Sequence, residues 1–444
     1  MSEMILELIN QGKYNEAKKE IVTMNVVDIA QLFEEINRQK LLVMFRILPK
    51  EIAADVFSYI SYELQRYIIE SITDKEIQNI INELYLDDTI DFLEEMPSNV
   101  VKKVLKNTDE TTRKLINQFL NYPEESAGSI MTIEYVDLKK EMSVKQALEH
   151  IKETGVDKET IDTCYVIDSM RILEGVISIR KLVLSEESTI IKDIMETDVV
   201  YVHTHDDQEK IASLFKKYDF TSMPVVDNER RLVGIVTIDD VVDIIEQENT
   251  EDMQKMAAMH PSEEEYLKTN VFRLARHRIT WLLILMISAT FTGNIIRKFN
   301  DVLQSVVILA SYIPMLMDTA GNSGSQSSTL VIRGLALGEI SIKDAFKVLW
   351  KEIQVGFLVA AVLSMVNFTR VYFFEKTDLM ISLTVCSTLF FTIILAKIVG
   401  GMLPIIAKRM KIDPAIMASP LITTIVDAVA LTIYFSTATM LLGI

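Results

Sequence analysis

Apolar residues recur every three or four positions through the first 125 residues, as in DIAQLFEEINRQKLLVMFRILP. That period places them on one face of a helix. Two phrases, ILPKEIAADVF near 47 and EMPSNVVKKVL near 95, share an apolar residue, a proline and a fresh amphipathic run. Proline suits a helix's first turn because its missing N–H would be unpaired there anyway. Residues 1–125 are therefore predicted to be an all-α domain of short helices in a degenerate repeat, the pattern of a superhelical stack.

From 126 to 248 the period changes. The runs TCYVID, GVISI, VVYV, MPVVD and LVGIVTI are rich in β-branched residues and alternate with helical stretches, which predicts an α/β domain. SIMTIEYVDLKKEMSVKQALEHI parallels DIMETDVVYVHTHDDQEKIASLF, and GVISIRKLVL parallels GIVTIDDVVDII. This duplication, with SMPVVDNERRLVGIVTIDDVV as its most specific phrase, resembles a pair of CBS domains.

Residues 249–270 are charged and helix-forming, predicting a connecting helix broken or restarted near Pro261. Five oily stretches of near-spanning length follow, at about 279–299, 302–333, 353–374, 379–406 and 414–442, the first and third being the weakest in hydropathy. Residues 271–444 are thus predicted to be an α-helical transmembrane domain with five spans. GEISIKDAFKVLWKE (338–352) reads as an amphipathic helix lying along the cytosolic membrane surface.

Charge sharpens this division. The 444-residue chain carries a net charge of −18. The balance is about +6 from Val271 onward and about −24 before it. An acidic soluble part excludes nucleic acid, whose phosphates need a basic face, and favours cationic partners such as divalent metal. Arg273, Arg276 and Arg278 precede the first stretch, Arg333, Lys343, Lys347 and Lys351 follow the second, and Lys408, Arg409 and Lys411 follow the fourth. The positive-inside rule then places the N-terminal half in the cytosol and the C-terminus outside. The start of the chain lacks the basic segment and apolar core of a secretory signal. The two cysteines, Cys164 and Cys386, are far apart, which fits a reducing cytosol and no structural zinc.

One stretch breaks the oil. PMLMDTAGNSGSQSSTL (314–330) holds Asp318, Asn322, two glycines and a run of hydroxyls. Small residues there suit close helix contact, but a membrane carboxylate is costly and marks a functional site by default. Pro314 and Gly321 are expected to loosen the helix and expose carbonyls to an ion. Asp427, in SPLITTIVDAVALTIYF, sits deep in the last stretch with Thr423 and Thr424 one turn earlier and no basic residue to neutralise it. Two acids with amide and hydroxyl oxygens form an all-oxygen environment. Mg²⁺ favours such ligands, since it keeps several waters and takes few carboxylates.

The order of helical domain, CBS pair, connecting helix and spans, with PMLMDTAGNSGSQSSTLVIRGLALGEI and DPAIMASPLITTIVDAVALTIYF, resembles the MgtE family of magnesium channels and transporters along essentially the whole chain. The resemblance implies a homodimer in the lipid bilayer of a plasma or inner membrane, with a Mg²⁺ pore on the dimer axis. It also implies cytosolic domains that close the pore when Mg²⁺ is plentiful. Asp427 matches the family's pore aspartate, and Asp413, in KIDPA, matches an acid near the cytosolic mouth. On this reading Asp87, Asp88 and Asp91 of the helical domain are candidate regulatory ligands. So are Asp207, Asp219, Asp240, Asp243, Glu248, Glu251 and Asp252 of the second CBS copy and the connecting helix. Facing acidic surfaces repel, and a divalent ion between them favours the compact arrangement. Solvated surface carboxylates are the plain alternative.

CBS pairs often hold an adenine nucleotide through a Ser or Thr and an Asp three residues on. Thr237 and Asp240 fit that pattern in the second copy, whereas Lys181 stands in the acid's place after Ser178 in the first. His203 and His205 have no third ligand and read as surface histidines. No P-loop, nucleophile elbow or H-E-x-x-H occurs, so nothing points to enzyme chemistry. The rivals to a Mg²⁺ channel are the same architecture carrying Mn²⁺ or Co²⁺, which oxygen ligands separate poorly from Mg²⁺, and a non-conducting membrane receptor for metal or nucleotide.

Overall fold

Short amphipathic runs punctuated by Pro, Asn, Thr and Asp become short capped helices. The computed structural model describes residues 2–262, 266–267, 269–417 and 419–443. Its first ten helices are α1 (Ser2–Asn10), α2 (Tyr14–Ile21), α3 (Val26–Glu35), α4 (Arg38–Ile47), α5 (Lys50–Tyr59), α6 (Tyr62–Ser71), α7 (Asp74–Glu83), α8 (Leu86–Glu94), α9 (Ser98–Asn107) and α10 (Glu110–Phe119). Asn25, Asn37 and Asp109 cap α3, α4 and α10 with side-chain oxygens, and Thr73 and Glu76 form a reciprocal capping box on α7. Pro49 and Pro97 occupy the positions just before α5 and α9, the role read from the repeated phrases. Alternate helices pack on one another, α3 on α5, α5 on α7 and α7 on α9. The stack buries Phe33, Phe57 and Phe92, the last two meeting edge to face at 5.1 Å between ring centres.

The duplicated segment forms two like sheets. β1 (Asp137–Leu138), α11 (Val144–Thr154), β2 (Thr163–Ile167), β3 (Leu173–Ser178), α12 (Ile179–Val183) and α13 (Ile191–Ile194) build the first copy. β4 (Val202–His203), α14 (Gln208–Tyr218), β5 (Ser222–Val226), β6 (Leu232–Thr237) and α15 (Ile238–Met256) build the second. The strand orders are β1-β2-β3 and β4-β5-β6, each with one parallel and one antiparallel pairing. Thr163 pairs with Ser178 as Ser222 pairs with Thr237, so the sequence repeat is a structural one. The copies are joined by Tyr165 Oη to Ser222 Oγ at 2.8 Å and by Arg171 donating to the Leu232 carbonyl at 2.8 Å. The apolar core of the helical stack continues through Phe119, Ala127 and Met131 into the second copy, at Phe215, Val225 and Val236. Residues Met1–Ile245 form one unit and Glu246–Ile444 another.

The second unit contains α16 (Val271–Lys298), α17 (Asn300–Ser305), α18 (Ile313–Ala336), α19 (Ala345–Phe368), α20 (Leu379–Arg409) and α21 (Ser419–Leu442). α18 and α19 both pack on α20, and α21 packs on α18 and α20. A Cβ on Gly400 would collide with the Gly324 backbone, and one on Gly321 would lie 2.9 Å from the Thr423 methyl. These glycines are what let the helix axes approach so closely.

Several expectations need correction. Among the described residues four helical segments are long and apolar enough to cross a membrane: Val271–Lys298, Ile342–Phe374, Leu379–Arg409 and Pro414–Leu442. The segment that falls short lies in the second stretch, not the first or third, because the polar residues of α18 lower its hydropathy. Residues 338–352 are not a separate surface helix; α19 begins at Ala345 and runs through them. Pro314 and Gly321 do not break α18, since Pro314 sits in its first turn, where a missing N–H costs no bond. The helix expected over 249–270 ends at Met256, and no described residue from 257 to 270 is helical; residues 263–265 and 268 lie outside the described residues.

Candidate functional site

Three groups of carboxylates stand out, two in the unit that holds the apolar helices and one in the other. In the apolar unit, α18 is two-faced. Ala320, Gly321, Ser323, Gly324, Ser327 and Ser328 are buried. Asp318, Asn322 and Gln326, spaced four apart and so aligned along one side, are exposed. Ser328 Oγ donates to the Met417 carbonyl at 2.9 Å, fastening the buried side. On α21, Asp427 is half-buried, and its Oδ1 is buried with no hydrogen-bond partner. Asp318 lies within electrostatic reach of it. Thr424 turns its hydroxyl back to the Pro420 carbonyl at 3.0 Å, so it is committed to its own helix.

Asp413 lies just before the turn that leads into α21. Its Oδ1 accepts from the Ala415 N–H at 2.8 Å, and its Oδ2 meets Lys255 Nζ at 2.7 Å. Lys255 also holds Glu251 at 2.6 Å. The two carboxylates keep that ammonium protonated well above its ordinary range, although burial opposes them. Asp252 is pushed up, by burial first and then by Asp413. The structure thus brings Glu251, Asp252 and Asp413 together around a lysine that sequence reasoning passed over.

In the other unit the acids crowd more tightly. Asp87 and Asp88 open α8, and Asp239 and Asp240 open α15, so both pairs gain from a helix N-terminus. The helix ends do not offset the crowding. Asp87 is raised well above the usual carboxylate range by burial, then by Asp240, Asp88 and Glu159. Asp88 is pushed to about 6 by burial and by Asp239, Asp55 and Glu134. Glu159 is pushed to about 7 by burial, Asp239, Asp88 and Glu134, and its Oε2 is buried with no partner. Asp240 reaches about 8 through burial, Asp239, Asp91 and Asp88, opposed by the Thr237 hydroxyl that donates to it at 2.9 Å. Asp239, Glu159, Glu134 and Asp55 were absent from the sequence-derived set. Asp239 had a signal, its adjacency to Asp240, while the other three lie on separate segments with none.

Asp207 and Asp219 stand at the two ends of α14. Asp207 caps α14 by accepting from the Glu209 N–H at 2.9 Å, and Asp219 ends that helix in a left-handed conformation (φ 54°). Asp91 reaches the cluster through its action on Asp240, and Asp243 and Glu248 lie further along α15. Among the described residues no three His, Cys, Asp or Glu side chains converge closely enough to ligate one bare ion.

A family profile described as a divalent cation transporter, MgtE, matches residues 313–437. One for the MgtE intracellular N domain matches 24–125, and one for the CBS domain matches 191–247. The magnesium transporter MgtE of Thermus thermophilus is 36% identical over 439 residues, 98% of this chain and 97% of that protein. The magnesium transporter MgtE of Bacillus subtilis is 32% identical over 435 residues, 98% of this chain and 96% of that protein. A crystal structure of the cytosolic domain of the Mg²⁺ channel MgtE in complex with ATP is 35% identical at a TM-score of 0.53, covering 55% of this chain and 100% of that one. The soluble part of a magnesium transporter is 29% identical at a TM-score of 0.52, covering 56% of this chain and 97% of that one. Identity of 36% over 98% of this chain and 97% of the Thermus protein, together with the matches to both MgtE profiles, shows that this chain belongs to the MgtE family.

Proposed function

We propose that this protein carries Mg²⁺ across a plasma or inner membrane as a homodimer, and that Mg²⁺ on the cytosolic side closes it. The observation that carries the reading is the polar stripe Asp318, Asn322 and Gln326 on the uncovered side of α18, close to the unpartnered Asp427 carboxylate. In hydrocarbon such a stripe needs water or a protein partner. A second copy placed against this side would enclose a hydrated path lined by oxygens from both chains. α18 then serves as the fifth span, its low hydropathy being the mark of a pore helix. The basic residues flanking the spans favour a cytosolic N-terminal part and an outside C-terminus.

Closure follows from the crowded acids. Repulsion among Asp87, Asp88, Asp239, Asp240 and Glu159 opposes the arrangement seen here, and a divalent cation relieves it. Mg²⁺ therefore binds this arrangement better than one with the acids apart, and shifts the population towards it. Glu251, Asp252 and Asp413 form a second such group, within the unit that holds the membrane helices.

Purified protein in liposomes, assayed for Mg²⁺, Mn²⁺ and Co²⁺ uptake, tests the reading. Mg²⁺ uptake lost in Asp427→Ala supports it, uptake of only the other metals replaces the cargo, and absence of any metal flux favours the receptor. The ATP held by the related cytosolic domain makes a nucleotide at Thr237 and Asp240 worth titrating in the same preparation.

A further inference from the structure

Lys397 lies on α20 in the apolar run LFFTIILAKIVGGMLP and is only 4% exposed. Being enclosed, it does not snorkel to a membrane surface. An ammonium held this way requires a compensating charge, because no water replaces its lost hydration. The structure supplies one through a hydroxyl. Lys397 Nζ donates to Ser327 Oγ at 3.4 Å, and Ser327 Oγ donates onward to Glu352 Oε2 at 2.6 Å. The chain links α20, α18 and α19. Space for it is built in: a Cβ on Gly401 would lie 2.8 Å from Glu352 Cγ, and one on Gly356 would touch the Lys397 stem at 3.7 Å.

Ser327 sits on the buried side of α18, opposite the stripe of Asp318 and Asn322. Apolar contacts and glycine notches let a helix slide or rotate over a small range at little cost, whereas an oriented hydrogen-bond chain between opposite charges defines one setting. We propose that Lys397, Ser327 and Glu352 form an internal charge clamp that fixes the rotation of α18 and so holds Asp318 and Asn322 towards the ion path. The clamp residues are positioning residues and touch no ion themselves. This inference rests on the Mg²⁺-transport reading above.

The test uses the full-length protein in liposomes. If the unmodified protein moves no Mg²⁺, the transport reading fails; the clamp is judged against a conducting parent. K397M should lower Mg²⁺ flux by about 10- to 100-fold, the scale of loss when a functional group shifts by about 1 Å. K397R should keep most of the flux. The double variant K397M/E352Q, which removes both charges, should recover much of what K397M loses, because an uncompensated carboxylate no longer remains. A separate readout reports position: in a D318C background, adding K397M should slow labelling by a charged thiol reagent, and loss of stability alone would not do so in folded dimers. Parental flux in K397M, or a double variant no better than K397M with unchanged labelling, overturns the proposal. Should K397M fail to fold, S327A removes only the bridging hydroxyl, and parental flux there overturns it equally.

Discussion

Two of the carboxylate groups teach opposite lessons about burying charge. In the apolar unit Asp318 and Asp427 stand nearly alone, among glycines, hydroxyls and alkyl side chains. In the soluble unit Asp87, Asp88, Asp240 and Glu159 crowd together beside Asp239, each of the four raised by burial and by neighbouring acids. A sparse pair can attract a passing hydrated cation without trapping it, as conduction requires. A crowded set stores repulsion that a bound cation releases, as a sensor requires. On the proposed reading, the separation of roles follows from density and burial, since the residue types are the same.

Removing the sparse site should have the largest effect. Asp427→Ala is expected to cut Mg²⁺ uptake in liposomes by at least about 100-fold, or about 2.7 kcal/mol, while size-exclusion chromatography shows folded protein. Asp318→Asn should cost less, because the amide keeps an oxygen. Equal losses in the two would erase the ranking drawn between them.

Thinning the crowded site should change regulation while leaving conduction. Changing Asp88, Asp240 and Glu159 to their amides removes both the repulsion and the ion's ligands, so the conducting fraction should vary about tenfold less with cytosolic Mg²⁺, within the usual range of coupling between sites. Patch recording with graded Mg²⁺ on the cytosolic face measures it. An unchanged dependence on Mg²⁺ would reduce these acids to a solvated surface.

Protons should partly stand in for the metal. Asp88, Glu159 and Asp240, near 6, 7 and 8, release their protons at higher pH when folded than carboxyls in an unfolded chain do. The folded unit therefore holds the extra protons, and its stability falls as pH rises through about 6 to 8. In EDTA the isolated Met1–Ile245 unit should melt higher at pH 6 than at pH 8, by about 2–4 °C for each kcal/mol of repulsion relieved. Millimolar Mg²⁺ should flatten that slope. A melting temperature that rises with pH would contradict the assigned directions.

The smallest effect belongs to Lys255. Its ammonium already bridges Glu251 and Asp413, at 2.6 and 2.7 Å, so a divalent ion arriving there must displace it. Lys255→Met should lower the closing Mg²⁺ concentration by about two- to fivefold, the scale of a partly exposed ion pair of about 0.5–1 kcal/mol. A shift the other way would make Lys255 a support for closure.

Much of this architecture was legible in the chain itself. Helical and strand periods are local properties, visible in a window of a few turns, and they yielded the helical stack and the duplicated α/β segment. The polar stretch 314–330 was legible for the same reason: desolvating a carboxylate among apolar neighbours costs too much to be incidental. Its backbone was misread. Proline and glycine were weighed by their propensities, whereas Pro314 falls in the one turn that tolerates it and the glycines serve packing.

Convergence was decided by tertiary structure alone. Asp87 and Asp240 are separated by over 150 positions, Glu159 comes from a loop without a pattern, and Asp207, as acidic as any of them, was drawn into a helix cap instead. Nothing in the order of the chain relates Lys397 to Glu352, which Ser327 joins in the fold. Period and polarity are written along the chain, so the sequence determines which segments are helices, strands and spans. Electrostatic coupling depends on distances of a few ångströms and on the dielectric around each group, and those exist only once separate segments have packed.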